Sequence, residues 1–375
     1  MPGPDGRDDD AFALGAQGVP FRPLSVSEML DGAIAGIRRR PRTSLGLAVA
    51  ISTVIQVTSS VAAYFFIGDE AREEITPDVL LESFGAQSVL GVLGLVLSAY
   101  GILVLSGLLA PILGRELVGM PIAPRQAWRD ARPRLGRLVL TAAAVMGVSL
   151  GAFGAAITPF LVFLVNDLHP GVIFTAAFLG FPIGTVLMVW LYLLFVLAVP
   201  AVVLERLTVV GALRRATRLS KGRWWRTCGT LLAALLITVF MGFFALRIPF
   251  LLVQLIFFGD SSGTDATVAA LAVDTAGRIV SWTVVLPFDA GVIALLYMDR
   301  RMRREGFDLE LRIRKRPSTA PSATPPPGAP SSASHGPADG AGGTDAEGPD
   351  DRDDGFIDLW RTDPAPARPG TRAET

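Results

Sequence analysis

Two ionisable residues inside long apolar runs are the side chains of this chain best placed to do chemistry. Asp289 lies near the middle of the apolar run at 278–298, and Arg247 lies within the run at 227–258. A charged group at the centre of a membrane helix costs roughly 2.5–3.5 kcal/mol on insertion scales, so such groups are usually paired or functional. We consider two interpretations, a structural Arg247–Asp289 ion pair and a transport site that uses Asp289.

Depth along the helices bears on the ion pair. At a rise of about 1.5 Å per residue, Arg247 lies about 30 Å from Thr227, near the far end of its run. By the same rise, Asp289 lies only about 17 Å from Arg278. The two side chains come within reach if Arg247 snorkels, or if its helix begins near Leu232. Both interpretations therefore stay open.

Catalytic and metal-binding patterns are otherwise missing from the sequence. His169 precedes the fourth run and His335 lies near the C-terminus, and neither belongs to a set of ligands with metal spacing. Asp167 with His169 can bind a metal weakly, but a polar hairpin turn also explains both residues. Cys228 is the only cysteine, which excludes an internal disulfide. We expect no enzymatic activity, no metal and no cofactor.

Six long apolar runs must position these residues. Each is longer than the roughly 20 residues that cross a bilayer core as a helix, and backbone groups in lipid must be paired within that helix. The chain is 51% hydrophobic with a mean hydropathy of +0.47. We therefore predict an all-α polytopic membrane protein with six transmembrane helices. The runs cover residues 43–68, 88–113, 138–165, 171–204, 227–258 and 278–298.

Basic residues alternate between the two sides of these six runs. Within residues 21–316, the segments before the first run, after the sixth, and between the second and third and the fourth and fifth hold 26 Lys and Arg. The other three connections hold 2, counting Arg278 at the start of the sixth run. Such a bias places the basic side in the cytoplasm. We expect a multi-pass protein of the plasma membrane with both termini cytoplasmic. The arginine-rich, Ala-, Gly- and Pro-rich usage resembles that of a high-GC bacterial gene.

Three basic segments that precede odd-numbered runs share an amphipathic pattern. They begin with a Ser25–Glu28 capping box, with Pro124 at a first helical position, and with Thr208 as a capping hydroxyl. We predict three cytoplasmic interfacial helices; one interpretation is a threefold repeat of helix plus hairpin, and the other is three independent topological helices. The aligned apolar or small residues, at the spacing of one helix face, are Val26, Met29, Leu30 and Ala33; Pro124, Ala127, Trp128 and Ala131; Val209, Ala212, Leu213 and Ala216.

Arginines occupy the opposite faces of the second and third segments. We expect the apolar faces to rest on the inner leaflet and the arginines to meet anionic lipid headgroups. The alternative is that these charges serve topology alone. Nucleic acid is not an expected partner, because the charges lie beside the bilayer. The predicted interface residues are Arg125, Arg129, Arg132, Arg214, Arg215, Arg218, Trp224 and Trp225.

The two ends of the chain are predicted to be disordered. Residues 1–20 and 317–375 are rich in Gly, Pro, Ala and Asp and lack the apolar content of a core, which leaves residues 21–316 as the membrane domain. One apolar cluster among aspartates interrupts the tail. It is a candidate docking motif for a basic partner or for the protein's own arginine face; a chance cluster is the alternative. It consists of Phe356, Ile357, Leu359 and Trp360.

Two motifs carry a resemblance to a known family. Residues 21–32 (FRPLSVSEMLDG, the entry motif) and 296–309 (LYMDRRMRREGFDL, the exit motif) resemble the ends of the membrane domain associated with glycerophosphoryl diester phosphodiesterases, which also occurs alone in actinobacterial proteins. The resemblance covers residues 21–316 and implies a six-span fold. It transfers no catalytic residue, because the 59 residues after Arg316 are too few for the separate catalytic barrel of the enzymes.

The sequence favours a binding role over a chemical one. We expect a non-enzymatic scaffold or regulatory component of a membrane complex with a membrane or cytoplasmic protein partner. The alternative is a transporter or channel-like carrier for a small solute or lipid, with Asp289 in its path. Ion-coupled carriers usually keep several ionisable groups within the membrane, and the scarcity of such groups here favours the scaffold.

Overall fold

Every element is helical in the part of the chain that the structure, a computed structural model, describes, namely residues 24–66, 77–118, 132–258 and 264–305. Six helical segments there are long and apolar enough to cross a membrane. The prediction of an all-α, six-span membrane protein is confirmed. The helices are α1 (Val26–Arg39), α2 (Pro41–Phe66), α3 (Pro77–Val118), α4 (Leu135–Val165), α5 (Pro170–Phe195), α6 (Ala198–Leu204), α7 (Val209–Ser220), α8 (Trp224–Val239), α9 (Ile248–Phe258) and α10 (Thr264–Glu305).

Prolines reshape two of the six spans. Pro200 cannot donate an N–H and its ring clashes with the carbonyl four residues earlier, and the fourth span accordingly breaks between α5 and α6. Pro249 acts in the same way on the fifth span, where the π-helix Phe240–Arg247 joins α8 to α9. Four further prolines lie inside continuous helices: Pro111, Pro159, Pro182 and Pro287.

The last helix is twice as long as its apolar run indicated. α10 has 42 residues and begins at Thr264, whereas the run began at residue 278. The added turns carry polar side chains that pair along the helix, because Arg278 Nε donates to Asp274 Oδ2 at 2.8 Å, one turn away. Hydropathy therefore detected only the most apolar part of this helix.

The spans assemble around α10. This helix contacts α1, α2, α3, α8 and the π-helix, and 67% of its most apolar stretch is buried. By contrast, α4 packs mainly against α5, and only 6% of the corresponding stretch of α4 is buried. The protein thus has a core built on α10 and a two-helix arm. We call the end of the bundle that holds α1, α7 and the last turns of α10 the proximal end, and the opposite end the distal end.

Hydrogen bonds fix the register of α2 against α10. Ser52 and Thr283 lie 3.1 Å apart through their hydroxyls, and Ser60 and Thr275 lie 2.7 Å apart. Because the residue numbers rise along α2 while those of the partners on α10 fall, the two helices are antiparallel. Gln56, midway between the two serines, therefore lies level with Ile279.

The two amphipathic helices that the structure describes begin where the sequence predicted. Ser25 and Glu28 form the capping box of α1, and Thr208 caps α7 by accepting from the Gly211 N–H at 3.2 Å. The second predicted helix, at 124–131, lies outside the described residues. The order of helix and hairpin agrees with the repeat interpretation, but a duplication stays a prediction.

The apolar faces of α1 and α7 are covered by protein, which corrects the expectation that they rest on lipid. Met29 and Ala33 of α1 are buried, and Ala33 packs against Gly291 of α10. Ala212 and Ala216 of α7 are also buried, and α7 contacts α4, α5, α6 and α10. The amphipathic pattern was correct, but a helix interface satisfies it as well as a lipid surface does.

Candidate functional site

Buried ion pairs at the proximal end link the start of the described chain to its last helix. Asp299 of α10 is fully buried and its Oδ1 accepts from the Leu24 N–H at 2.9 Å and from Arg303 Nε at 2.7 Å. Arg303 and Arg226 both donate to the Leu24 carbonyl, at 2.8 and 2.6 Å. Both backbone groups of Leu24 are thereby satisfied, and the entry and exit motifs meet.

A second buried carboxylate, that of Glu205 at the end of α6, faces α10 about one turn before Arg303. Glu205, whose side chain is 0% exposed, pairs with Arg215 at 2.9 Å and with Arg301 at 3.6 Å, and it accepts from the Tyr297 hydroxyl. Arg215 and Arg301 also pair with Glu305. Burial lowers the pKa of Arg215, but the hydrogen bond that Arg215 donates to Glu305 and the charge of Glu205 outweigh it and raise the pKa above its ordinary value.

Arg300 ties the start of α8 to this region. Its side chain is fully buried, and its Nη2 donates to the Arg223 carbonyl at 2.9 Å and to the Thr227 hydroxyl at 2.7 Å. Together these contacts join the chain before α1, the α6–α7 connection, α7, the start of α8 and α10. We call the set the proximal ion network, which comprises Glu205, Arg215, Arg226, Asp299, Arg300, Arg301, Arg303 and Glu305.

The structure corrects one predicted headgroup residue and leaves others at the surface. Arg215 points into the proximal ion network, with 14% of its side chain exposed, because Glu205 lies beneath α7. Arg132, Arg214 and Arg218 are exposed. Trp225 is exposed, and its ring meets the half-buried Trp224 edge to face at 4.9 Å. Arg125 and Arg129 lie outside the described residues, as do Phe356, Ile357, Leu359 and Trp360.

The structural ion pair between Arg247 and Asp289 that the sequence suggested does not form, so this interpretation is wrong. Arg247 pairs instead with Asp274, through a side-chain contact and through Nη1 to the Asp274 carbonyl at 3.1 Å. Asp289 accepts from the Thr238 hydroxyl at 2.7 Å. The reason is depth, since Arg247 lies nine residues beyond Thr238, or roughly 13 Å toward the distal end.

A cavity of about 440 Å³ lies among α2, α3, α8, the π-helix and α10. Arg247 and Arg278 line its distal part, and Thr238 lines its proximal part. Gln56 and Ser98 also line it; they are 4% and 3% exposed and form no hydrogen bond with any described residue. The cavity therefore contains both cationic and neutral hydrogen-bonding groups beside apolar walls.

Sequence reasoning missed most of these groups, although some left a signal. Glu205 is the only acidic residue between 168 and 259, and a lone acid among arginines indicates a buried partner. Asp299 lay inside the exit motif, but its charge alone did not reveal its contacts. Gln56 and Ser98 left no signal, because single polar residues of this kind are common in membrane helices.

The His, Cys, Asp and Glu side chains of the described ranges form no large cluster. No group of three or more His, Cys, Asp or Glu side chains there is arranged to hold an ion. His169 is instead the N-cap of α5, where its Nδ1 accepts from the Gly171 N–H at 3.2 Å. The hairpin-turn interpretation of Asp167 and His169 therefore fits the structure. Comparison of the chain with family models, curated proteins and solved structures gives no match.

Proposed function

We propose that this multi-pass membrane protein is a non-enzymatic scaffold of the plasma membrane, which binds an acidic protein partner on its proximal, cytoplasmic face. The observation that carries the proposal is the proximal ion network. It holds five parts of the chain in one arrangement through buried contacts, so the surface above it is preorganised. Preorganisation lowers the entropy cost of binding a partner.

That surface carries unneutralised positive charge. Its exposed basic residues form no ion pair with any acidic side chain that the structure describes, whereas the buried arginines nearby are paired. An acidic partner would be recognised and steered by charge complementarity. Topology alone accounts for basic residues here, but it does not require a buried network that fixes them. The exposed basic residues include Arg38, Arg214, Arg218, Lys221 and Arg223.

The meeting of the two end motifs supports the resemblance to the membrane domain associated with glycerophosphoryl diester phosphodiesterases. Leu24 of the entry motif and Asp299 of the exit motif are hydrogen-bonded, so the motifs form one structural unit. We propose membership of that group for residues 21–316.

Purification in mild detergent tests the scaffold. The wild type, an Arg214→Glu/Arg218→Glu variant and a chain truncated after Arg316 are compared by quantitative mass spectrometry. We expect one stoichiometric acidic partner with the wild type, at least tenfold depleted with the double variant; depletion by truncation would assign the contact to the tail as well. A homogeneous particle without a protein partner, or a partner equally retained by the charge-reversed variant, would refute the proposal.

A carrier for a small solute or lipid is the second candidate, favoured by the carboxyl of Asp289 within the sixth span. Asp289→Asn keeps the size of the side chain and the hydrogen bond from Thr238, but removes the ionisable group. A carrier that uses this group would lose transport in reconstituted vesicles while its fold is kept. Under the scaffold proposal, partner retention and folding are unchanged by this variant.

A further inference from the structure

The cavity among α2, α3, α8, the π-helix and α10 combines features of a ligand site. Its volume of about 440 Å³ lies within the roughly 300–1,000 Å³ that small-molecule sites occupy. A π-helix forms part of its wall, and π-helical turns are frequent at functional sites. The inference below goes beyond the scaffold proposal and does not depend on it.

Gln56 and Ser98 lie at one height in the cavity. The register of α2 and α10 places Gln56 level with Ile279, next to Arg278. On α3, a Cβ at Gly94 would lie 3.9 Å from Ser59 Oγ, and a Cβ at Gly101 would meet Ile55. Ser98, between these two glycines, is therefore at the height of Gln56. Two unpartnered and almost fully buried donors thus face the cavity at the level of Ile279. This level is roughly 7 Å along α10 from Asp274, the residue that Arg247 and Arg278 contact.

Among the side chains that the structure describes, positive charge is in excess just above Gln56 and Ser98. Arg247 and Arg278 share a single carboxylate, that of Asp274. The Nη groups of Arg278 have no partner among the described side chains, and the Arg278 side chain is 45% exposed. Arg278 also opens the most apolar run of α10, at 278–298. An anionic group bound here would complete the charge balance.

The rest of the cavity is apolar and open at the side. It extends along α10 from Arg278 to Val285, which is about 10 Å. Leu95, Val239 and Phe243 line its edge and are exposed by 65%, 47% and 51%. In a membrane these side chains face lipid, so a hydrocarbon chain can enter between α3 and the π-helix.

We propose that this cavity binds one anionic phospholipid of the distal leaflet, which is the outer leaflet under the topology proposed above. Arg278 and Arg247 hold the phosphate, and Gln56 and Ser98 donate to the ester carbonyls one layer below it. One acyl chain occupies the apolar part of the cavity toward Val285. The spacing of the groups follows the order of phosphate, ester and chain in a phospholipid.

Lipid competition after delipidation tests the site. The purified full-length protein is exchanged into detergent and incubated with mixed micelles that contain equal amounts of phosphatidylglycerol and phosphatidylcholine with the same acyl chains. Retained lipid is counted by native mass spectrometry. We expect one phosphatidylglycerol per chain and an at least tenfold lower occupancy by phosphatidylcholine.

Two variants and two matched controls locate the lipid. Arg278→Gln removes a headgroup contact, and Gly91→Phe fills the cavity, because nothing lies within 4 Å of a Cβ at Gly91. Each should lower the retention of phosphatidylglycerol at least tenfold. Gly147→Phe, at a glycine with equally open surroundings on α4, and Arg137→Gln, at an exposed arginine, should retain lipid as the wild type does.

Several results would overturn the proposal. Equal retention of the two lipids would contradict recognition of the charge, and no retained lipid would contradict the site itself. Equal loss in Gly91→Phe and Gly147→Phe would show that a bulky residue anywhere in the spans has this effect. Size-exclusion profiles of all variants identify any that fail to fold. If Gly91→Phe does not fold, the retention of phosphatidylglycerol by Arg278→Gln tests the proposal by itself.

Discussion

Glu205 and Asp299 are carboxylates that are buried at the proximal end, each among several arginines. Removing water from a charge is costly, and a partner offsets this cost only while it is present. The loss of one member therefore leaves the other charges buried without compensation. Residues of this kind should be among the most sensitive positions for stability in the chain.

We predict that Glu205→Gln lowers the free energy of unfolding by about 3–5 kcal/mol, the usual effect of breaking a buried ion pair. Gln keeps an acceptor for the Tyr297 hydroxyl but loses the charge that faces Arg215 and Arg301. Glu305→Gln is the matched control, because Glu305 is 27% exposed, and its loss should cost about 1 kcal/mol or less. Denaturant unfolding in detergent measures both, and equal effects would contradict the burial argument.

Asp299→Ala should release the start of the described chain. Leu24 would lose the acceptor of its N–H, and Arg303 would lose its carboxylate partner. We expect the amide hydrogens of Leu24 and of the first turn of α1 to exchange at least tenfold faster. Asp31→Ala, at an exposed residue of α1, is the control. Unchanged exchange at Leu24 in Asp299→Ala would show that Asp299 does not hold this segment.

For individual residues, the sequence indicated which ionisable side chains are buried in the spans, but it did not indicate their partners. Asp289 and Arg247 were identified because ionisable groups within apolar runs are rare. Their partners depend on the relative heights of helices that are distant in sequence. The choice of Asp274 over Asp289 by Arg247 is set by how α10 packs against the π-helix, which no local pattern contains.

The π-helix forms part of the wall of the cavity that it encloses with α2, α3, α8 and α10. It approaches α10 closely at Gly242, whose carbonyl accepts from the Ser281 hydroxyl at 2.7 Å. A Cβ at Gly242 would lie 3.0 Å from Val285 Cγ2 and 3.3 Å from Ser281 Oγ. Glycine therefore allows this close approach without a shift of Val285 or Ser281.

Gly242→Ala should destabilise the protein by about 1–3 kcal/mol, as overpacked sites do. Gly229→Ala is the control within the same span, because nothing lies within 4 Å of a Cβ there. As alanine is the better helix former, it should be neutral or stabilise by up to about 1 kcal/mol. Thermal unfolding in detergent compares the two, and equal stabilities would contradict the close contact with α10.

Elements differed in how far the sequence determined them. The caps of α1 and α7 were predictable, because Ser25, Glu28 and Thr208 act on backbone groups within three residues. The surface that covers the apolar face of α1 was not, because Ala33 meets Gly291, more than 250 positions away. A periodic apolar pattern identifies a buried face but does not identify the partner.

At the scale of the whole molecule, the architecture follows from the length and order of apolar helices. Six runs of sufficient length predicted six spans, and the structure has six. The assembly around α10, with α4 and α5 as an arm, was not predictable, because all six runs are similarly apolar. The polar pairs along α10, such as Asp274 with Arg278, extended this helix beyond its apolar run.

The scaffold proposal requires that the proximal ion network and the basic surface over it face the cytoplasm. Cysteine accessibility tests this most directly. In a Cys228→Ser background, which removes the only native cysteine, single cysteines are placed at the exposed positions Arg218 and Asp167. Intact and permeabilised cells are treated with a membrane-impermeant maleimide.

We predict that the cysteine at position 167 is labelled in intact cells and that the cysteine at position 218 is labelled only after permeabilisation. Labelling of position 218 in intact cells, with protection of position 167, would contradict the topology. The basic surface would then be extracellular and unable to bind a cytoplasmic partner.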